Sequence, residues 1–198
     1  VPVAEALGRQ GRAGIAVGMA APAVGTVPTA HAAMAPHGDV TLVVLPHTLE
    51  GWGNLCEFIT ALRRTAPKGS YRLRLQELQH AVLDDCVLVA SPLRAATPAQ
   101  LVGLARWLLK RYTGRCWLGV ELLRQLDDEM WLYRLREASE LSAIPLVAVG
   151  DACMHVRSRK PLHDVLTATR LNTPVADCGL ALQPNAEAHL RSRQRLAA

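Results

Sequence analysis

The stretch CVLVASPLRAATPAQLVGLARWLLKRYTGRCWLGV, residues 86–120, decides the fold. It opens with an apolar run at 86–90 and closes with a second one at 117–120, and both are typical of buried strands. Between them, Thr97–Gln100 has the composition of a helix start. Its threonine can cap the helix, its proline suits the first turn, and its glutamine can reach back to the capping amide. We therefore expect a helix that ends near Tyr112, in a strand–helix–strand unit.

The same alternation continues on both sides of this unit. An apolar run at 41–45 precedes a segment at 50–64 with apolar residues at helical spacing, and a helix at 127–141 precedes a last apolar run at 145–149. Four apolar strands, each followed by a helix, predict an α/β fold with a mainly parallel sheet covered on both faces. Further helices are expected at 161–171 and 186–196.

Composition places the chain among soluble globular proteins, with 50% apolar and 20% charged residues in 198. The net charge of +5 suits contact with a polyanion, and it suits an ordinary arginine-rich protein equally well. Five cysteines without a CxxC pair indicate reduced thiols and a cytoplasmic location. No apolar stretch is long enough to predict a membrane helix.

Residues 1–38 differ from the rest because they are dense in Ala, Gly, Val and Pro without periodicity. This composition predicts a poorly ordered segment. A secretory signal is the alternative, since Arg9 and Arg12 precede a weakly apolar run at 13–27. Pro22 and Gly25 interrupt that run, Pro28 follows it, and no methionine starts the chain, which disfavours the alternative.

A candidate metal site follows the fourth predicted strand. Asp151, Cys153 and His155 supply a carboxylate, a thiol and an imidazole within five residues, a set that suits a borderline metal such as zinc. Alternatively, Asp151 caps the turn and Cys153 is a small buried group. His47 or Glu121, each next to a predicted strand end, would be needed to complete the site.

Arg157, Arg159 and Lys160 are the candidate nucleic-acid-binding residues, because closely spaced cations meet phosphates through salt-sensitive contacts. A solvated basic face is the alternative. The arginines at 191, 193 and 195 alternate along the predicted last helix and would spread around it.

Residues 150–171, GDACMHVRSRKPLHDVLTATRL, closely resemble a motif of the error-prone C-family DNA polymerases that reads GDVHMHVRSRKPLQDVLTATRLG. The resemblance continues, in the family's order, through 173–193. Upstream it includes LEGWGNLC at 49–56 and KGSYRL at 68–73.

This resemblance implies that residues 39–171 are the C-terminal part of a PHP domain, a partial (β/α) barrel with about four βα units. Residues 172–198 would be a linker and a basic helix that lead toward the polymerase core. The implied parent is a DNA-directed DNA polymerase of DNA repair and translesion synthesis that uses magnesium, binds DNA and meets polymerase accessory proteins or a sliding clamp. The polymerase active site would lie outside this chain.

The sequence departs from the family in two places. The family's DVH, with its metal-binding Asp and His, is Asp151-Ala152-Cys153 here, so a thiol replaces an imidazole, and His155 matches a second histidine. The resemblance thus implies a degraded site for Zn, Mn or Mg. The early HxH metal motif is not found in residues 1–38, which suggests a frameshift or truncation.

Two other functions stay open at this point: a remnant of a metal-dependent phosphoesterase or exonuclease, and a non-catalytic interaction module. A barrel without its early strands would expose a sheet edge, so we also expect the isolated chain to associate.

Overall fold

A computed structural model describes residues 15–17, 39–64 and 83–197. Five strands and five α-helices follow one another along these residues: β1 Ile15–Val17, β2 Val40–Pro46, α1 Leu49–Arg64, β3 Cys86–Pro92, α2 Pro98–Tyr112, β4 Cys116–Glu121, α3 Asp128–Ser142, β5 Leu146–Val149, α4 Lys160–Leu171 and α5 Arg193–Ala197. Short 3-10 turns lie at Arg157–Arg159, Val175–Asp177 and Gly179–Ala181. Among these residues, no helix is long and apolar enough to cross a membrane.

The predicted α/β class is confirmed, since helices alternate with the strands of one sheet in the order β1-β2-β3-β4-β5. The pairing of β3 with β4 is parallel, as the unit at 86–120 predicts. The pairing of β2 with β3 is antiparallel, which the pattern of four βα units does not predict. An apolar run encodes burial but not strand direction, so the sequence pattern could not distinguish the two arrangements.

The edge strand β1 is a second difference, because Ile15–Val17 pair antiparallel with β2 inside the segment expected to be poorly ordered. The rest of that segment, and the KGSYRL motif at 68–73, lie outside the described residues. The predictions of disorder, of a frameshift and of association through a sheet edge therefore stay predictions.

The chain folds into two compact units. Of the described residues, the first unit contains those up to 119 together with 133–147, and the second contains 120–132 together with 148–197. The unit boundaries thus cut through β4, α3 and β5.

One face of the sheet in the first unit forms the core. Alternate residues of β2 are at most 2% exposed, and Leu42 and Val44 pair with Ala90 and Leu88 of β3, which are fully buried. Helix α1 packs on β2 and β3. The buried residues of α2 include Leu101, Leu104, Ala105 and Leu108.

The opposite face of the same strands is less covered. Thr41, Val43, Val87 and Trp117 are half-buried, and Leu45 is 41% exposed. Complete cover on both faces, as the apolar runs predict, is therefore found on one face only.

The amino end of α1 is fixed against the turn before β3. The Thr48 hydroxyl accepts a hydrogen bond from the Gly51 amide at 3.0 Å, and the Cys86 thiol donates to the Gly51 carbonyl at 3.3 Å. The amide of His47 donates to the Asp85 carbonyl at 2.7 Å. Gly51 lies so close to this carbonyl that a β-carbon on Gly51 would overlap it.

The predicted start of α2 is confirmed. The Thr97 hydroxyl accepts a hydrogen bond from the Gln100 amide at 3.3 Å, and the Gln100 side chain accepts one from the Thr97 amide at 2.9 Å. These reciprocal bonds form the capping box that the sequence predicts.

The helix expected at 186–196 is wrong over most of its length, since α5 begins only at Arg193. The Asn185 side chain accepts from the Glu187 amide at 2.9 Å, which resembles a helix start. However, the next amides do not continue a helix: His189 donates to the Glu187 carbonyl and Leu190 to the Met154 carbonyl. The basic helix at the end of the chain is therefore only five residues long.

Candidate functional site

The segment after β5 is held by backbone pairing with a distant part of the second unit. The amides of Cys153 and Met154 donate to the Ala188 carbonyl at 2.9 and 3.2 Å, and the Leu190 amide donates to the Met154 carbonyl at 3.0 Å. Met154 and Ala188 are buried. This pairing fixes the segment that begins the run of predicted site residues, 151–160, against residues 188–190.

The predicted metal ligands Asp151, Cys153 and His155 all lie in this segment but do not form a site. Asp151 and His155 are exposed, and Cys153 is half-buried with its sulfur 3.3 Å from the Asp151 carbonyl oxygen. In residues 15–17, 39–64 and 83–197, no three His, Cys, Asp or Glu side chains group closely enough to hold a metal ion. The described residues therefore do not fit a multinuclear metal centre, and the predicted Zn, Mn or Mg stays a prediction.

Two other strand-end residues of the first unit lie at opposite ends of β3. His47 follows β2 and contacts Asp85, which comes just before β3, whereas Ser91 lies near the carboxyl end of β3 and pairs with Thr41. The antiparallel pairing causes this separation, because it reverses β2 relative to β3. A parallel pairing of β2 and β3 would instead bring His47 and Ser91 to the same edge of the sheet.

The predicted nucleic-acid-binding residues Arg157, Arg159 and Lys160 make different contacts. The Lys160 ammonium lies 2.6 Å from the Asp164 carboxylate, one helical turn along α4. Arg159 is exposed. The Arg157 guanidinium donates to the Glu187 carboxylate at 3.0 Å and joins a group of arginines that the other two do not enter.

Three guanidinium groups converge on one oxygen of Glu187. The distances to this Oε2 atom are 3.0 Å from Arg157, 3.5 Å from Arg191 and 3.7 Å from Arg124. Burial raises the pKa of Glu187, but the hydrogen bond from Arg157 and the charges of the three arginines outweigh burial and hold this pKa below its usual value. Glu187 is therefore a carboxylate at neutral pH.

Backbone contacts hold Arg191 and the loop that carries Arg124 in place. The Arg191 guanidinium donates to the carbonyls of Leu122 at 3.2 Å and Glu187 at 3.1 Å, and the Asn185 amide group donates to the Leu123 carbonyl at 2.7 Å. Arg124, the residue after Leu123, has a left-handed backbone conformation with φ 56°. The loop after β4 is thereby tied to the segment that contains Glu187.

These groups surround a half-open cavity of about 380 Å³, which we call the arginine cavity. The ring of His189 also reaches it and is bonded through Nδ1 to the Ala186 carbonyl at 3.1 Å. The lining residues are Arg124, Arg157, Glu187, His189, Arg191 and Arg195.

Sequence reasoning missed Arg124, Glu187 and His189 as site residues, and it expected Arg191 and Arg195 to be basic residues that spread around a helix. Arg191 lies 69 positions from the carbonyl that it contacts on Leu122, so no local spacing reveals the cluster. The high arginine content of the last quarter of the chain was the only available signal.

Comparison with known proteins gives one consistent result, although no protein-family model matches the chain. The chain is 40% identical over 164 residues to an error-prone DNA polymerase of Ralstonia nicotianae. It is 42% identical over 171 residues to the error-prone DNA polymerase of Bordetella parapertussis. It is 44% identical over 156 residues to the error-prone DNA polymerase of Methylococcus capsulatus. The matches cover 79%, 82% and 79% of this chain. The chain spans about 15% of the length of these curated relatives.

Proposed function

We propose that this chain, which belongs to the error-prone DNA polymerase family, serves as one part of a DNA-directed DNA polymerase that copies damaged DNA. The observation that carries this proposal is sequence identity of 40% or more across about four fifths of the chain. The activity belongs to the much longer polymerase, and the chain contributes a structural part of it.

Within that polymerase, we assign the chain to the PHP domain. The alternation of strands and helices from β2 to α4 supports this assignment, as does the motif at 150–171, which ends in α4. Nucleotide transfer needs carboxylates that hold divalent metal ions, and we place these carboxylates and their magnesium in another part of the polymerase.

DNA is the partner that this role requires, and polymerase accessory proteins or a sliding clamp are the further partners that we propose. A cytoplasmic location, where bacterial DNA is copied, is part of the same proposal.

A chimeric polymerase tests the assignment. The matched 164 residues of the Ralstonia enzyme would be replaced by the corresponding residues of this chain, and primer extension would be measured on undamaged and abasic templates. We expect the chimera to extend primers on both templates and the chain alone to add no nucleotide. A folded chimera that cannot extend an undamaged primer, or incorporation by the chain alone, would contradict the proposal.

A metal-dependent phosphoesterase is the second candidate, and the spacing of Asp151, Cys153 and His155 within five residues of sequence is what favours it. We expect the chain to release no nitrophenol from bis(4-nitrophenyl) phosphate with manganese or zinc, because three ligands do not group in the described residues. If nitrophenol were released in the presence of metal and Asp151→Ala abolished this release, the phosphoesterase would become the preferred function over the polymerase part.

A further inference from the structure

The arginine cavity carries an excess of positive charge. Four arginines and one glutamate line it, which leaves three positive charges unbalanced among the described lining residues. A half-open cavity with this imbalance concentrates a positive potential where an anion from solution can enter.

The hydrogen-bonding groups are also unbalanced. Each guanidinium has five N–H donors in a planar fork, whereas the three guanidiniums nearest Glu187 all approach the same carboxylate oxygen. Only one of these approaches, from Arg157, is as short as 3.0 Å. The cluster thus offers more donors than Glu187 accepts, and planar forks of this kind match the oxygens of a phosphate.

The inner wall of the cavity is held by hydrogen bonds to backbone carbonyls. Arg191 is only 16% exposed and is fixed by the Leu122 and Glu187 carbonyls, so it forms the inner wall. Arg124 and Arg157 are 77% and 50% exposed, and both reach solvent. A wall that is fixed by hydrogen bonds lowers the entropic cost of binding, and the exposed arginines can reach a ligand from solvent.

We infer that the arginine cavity binds a phosphate group of the DNA backbone. Arg191 forms its inner side, and Arg157, Arg124 and Arg195 contact the phosphate from the solvent side. Glu187 orients Arg191 and Arg157 and limits the affinity, because its carboxylate competes with the phosphate for the same donors. The contact is independent of base sequence, as phosphate contacts are in general.

DNA, a free nucleotide and pyrophosphate all carry the phosphate group that the cavity would bind. The choice of DNA as its source rests on the proposed function. A backbone phosphate is also favoured because the cavity is half open and therefore accessible to a long polyanion.

The outer arginines allow a test that leaves the inner contacts intact. Fluorescence anisotropy would measure binding of a labelled duplex to the full chain across a range of salt concentrations. Arg195→Gln and Arg124→Gln should each weaken binding by up to about fivefold, as loss of an exposed charge pair does. Each should also reduce the slope of log affinity against log salt by about 0.9, the value for one lost phosphate contact.

Matched controls remove the same charge outside the cavity. Arg193 lies two positions from Arg195 on α5, and Arg170 is exposed on α4 in the same unit as Arg124. Arg193→Gln and Arg170→Gln should leave the affinity and the salt slope nearly unchanged. Melting curves of all variants would establish that each one is folded.

Glu187→Gln distinguishes a binding site from a structural contact. If the cavity binds phosphate, removal of the competing carboxylate should tighten DNA binding and steepen its salt dependence. If the arginines only hold the loop together, the same substitution should leave DNA binding unchanged or weaken it.

Competition with dATP, pyrophosphate and inorganic phosphate identifies the source of the phosphate. Variants that bind pyrophosphate more weakly but bind DNA normally would assign the cavity to a free nucleotide and overturn the DNA assignment. Equal effects of the cavity and control variants would overturn the site altogether. Primer extension by the chimera is independent of these results, so failure of the cavity is distinguishable from failure of the polymerase assignment.

Discussion

Two glycines in the first turns of α1 differ only in what surrounds them. Gly51 is buried against the Asp85 carbonyl, and a β-carbon there would overlap backbone atoms of the turn before β3. Gly53 is exposed, and a β-carbon there would meet nothing within 4 Å. Gly51→Ala and Gly53→Ala therefore add the same methyl group to the same helix in opposite environments.

The two substitutions should change stability in opposite directions. Alanine favours a helix over glycine by about 1 kcal/mol, so Gly53→Ala should stabilise the protein by up to that amount. At Gly51 the obstacle is a carbonyl, which cannot rotate away as a side chain can. Overpacking costs about 1–3 kcal/mol, and displacement of α1 would also weaken the hydrogen bonds of Cys86 and His47, worth about 1 kcal/mol each. We expect Gly51→Ala to destabilise the protein by about 1–3 kcal/mol after the helix gain is subtracted.

Urea unfolding followed by far-ultraviolet circular dichroism would measure both variants against the parent chain. The midpoint should fall for Gly51→Ala and rise for Gly53→Ala. The reasoning about this contact would be refuted if Gly51→Ala were as stable as the parent chain, or if both variants shifted equally.

Three other predictions concern a helix cap, a titration and the thiols. Thr97→Ala should lower the free energy of unfolding by about 1 kcal/mol in urea titrations, because it removes the cap of α2. Glu187→Gln should lower that free energy by about 1–2 kcal/mol at pH 7. Since the folded pKa of Glu187 is depressed, its stabilisation is present above the usual glutamate pKa and is lost as pH falls through the folded pKa, so unfolding curves of the two proteins should converge in acid. With a disulfide reagent, exposed Cys56 should react first, whereas Cys86 and Cys116 should react only on unfolding, because both are buried and burial raises their pKa.

Local chemistry made part of this fold predictable. The capping box at Thr97 depends on residues three positions apart, so the sequence contains all of it. The apolar runs of β3 and β4 likewise specify buried strands, and α2 between them makes the parallel pairing the expected one.

Features that depend on distant residues were not predictable in the same way. The direction of β2 depends on how the chain returns to the sheet after α1, which an apolar run does not encode. The arginine cavity combines a loop near Arg124 with residues near Glu187, and no periodicity connects them. The motif at 150–171 drew attention to Arg157, but only the fold reveals that its partner is Glu187 rather than a neighbour in sequence.

The chain passes from one unit to the other three times, after residues 119, 132 and 147. During synthesis the first unit therefore cannot close until residue 147 has left the ribosome. The second unit cannot fold completely until Arg191 has been synthesised, because Arg191 bonds to the Leu122 carbonyl in the first segment of that unit. No single cut between 120 and 147 releases either unit whole. A shortened gene that ends in this interval should therefore yield an incompletely folded chain that proteases degrade, rather than a smaller stable domain.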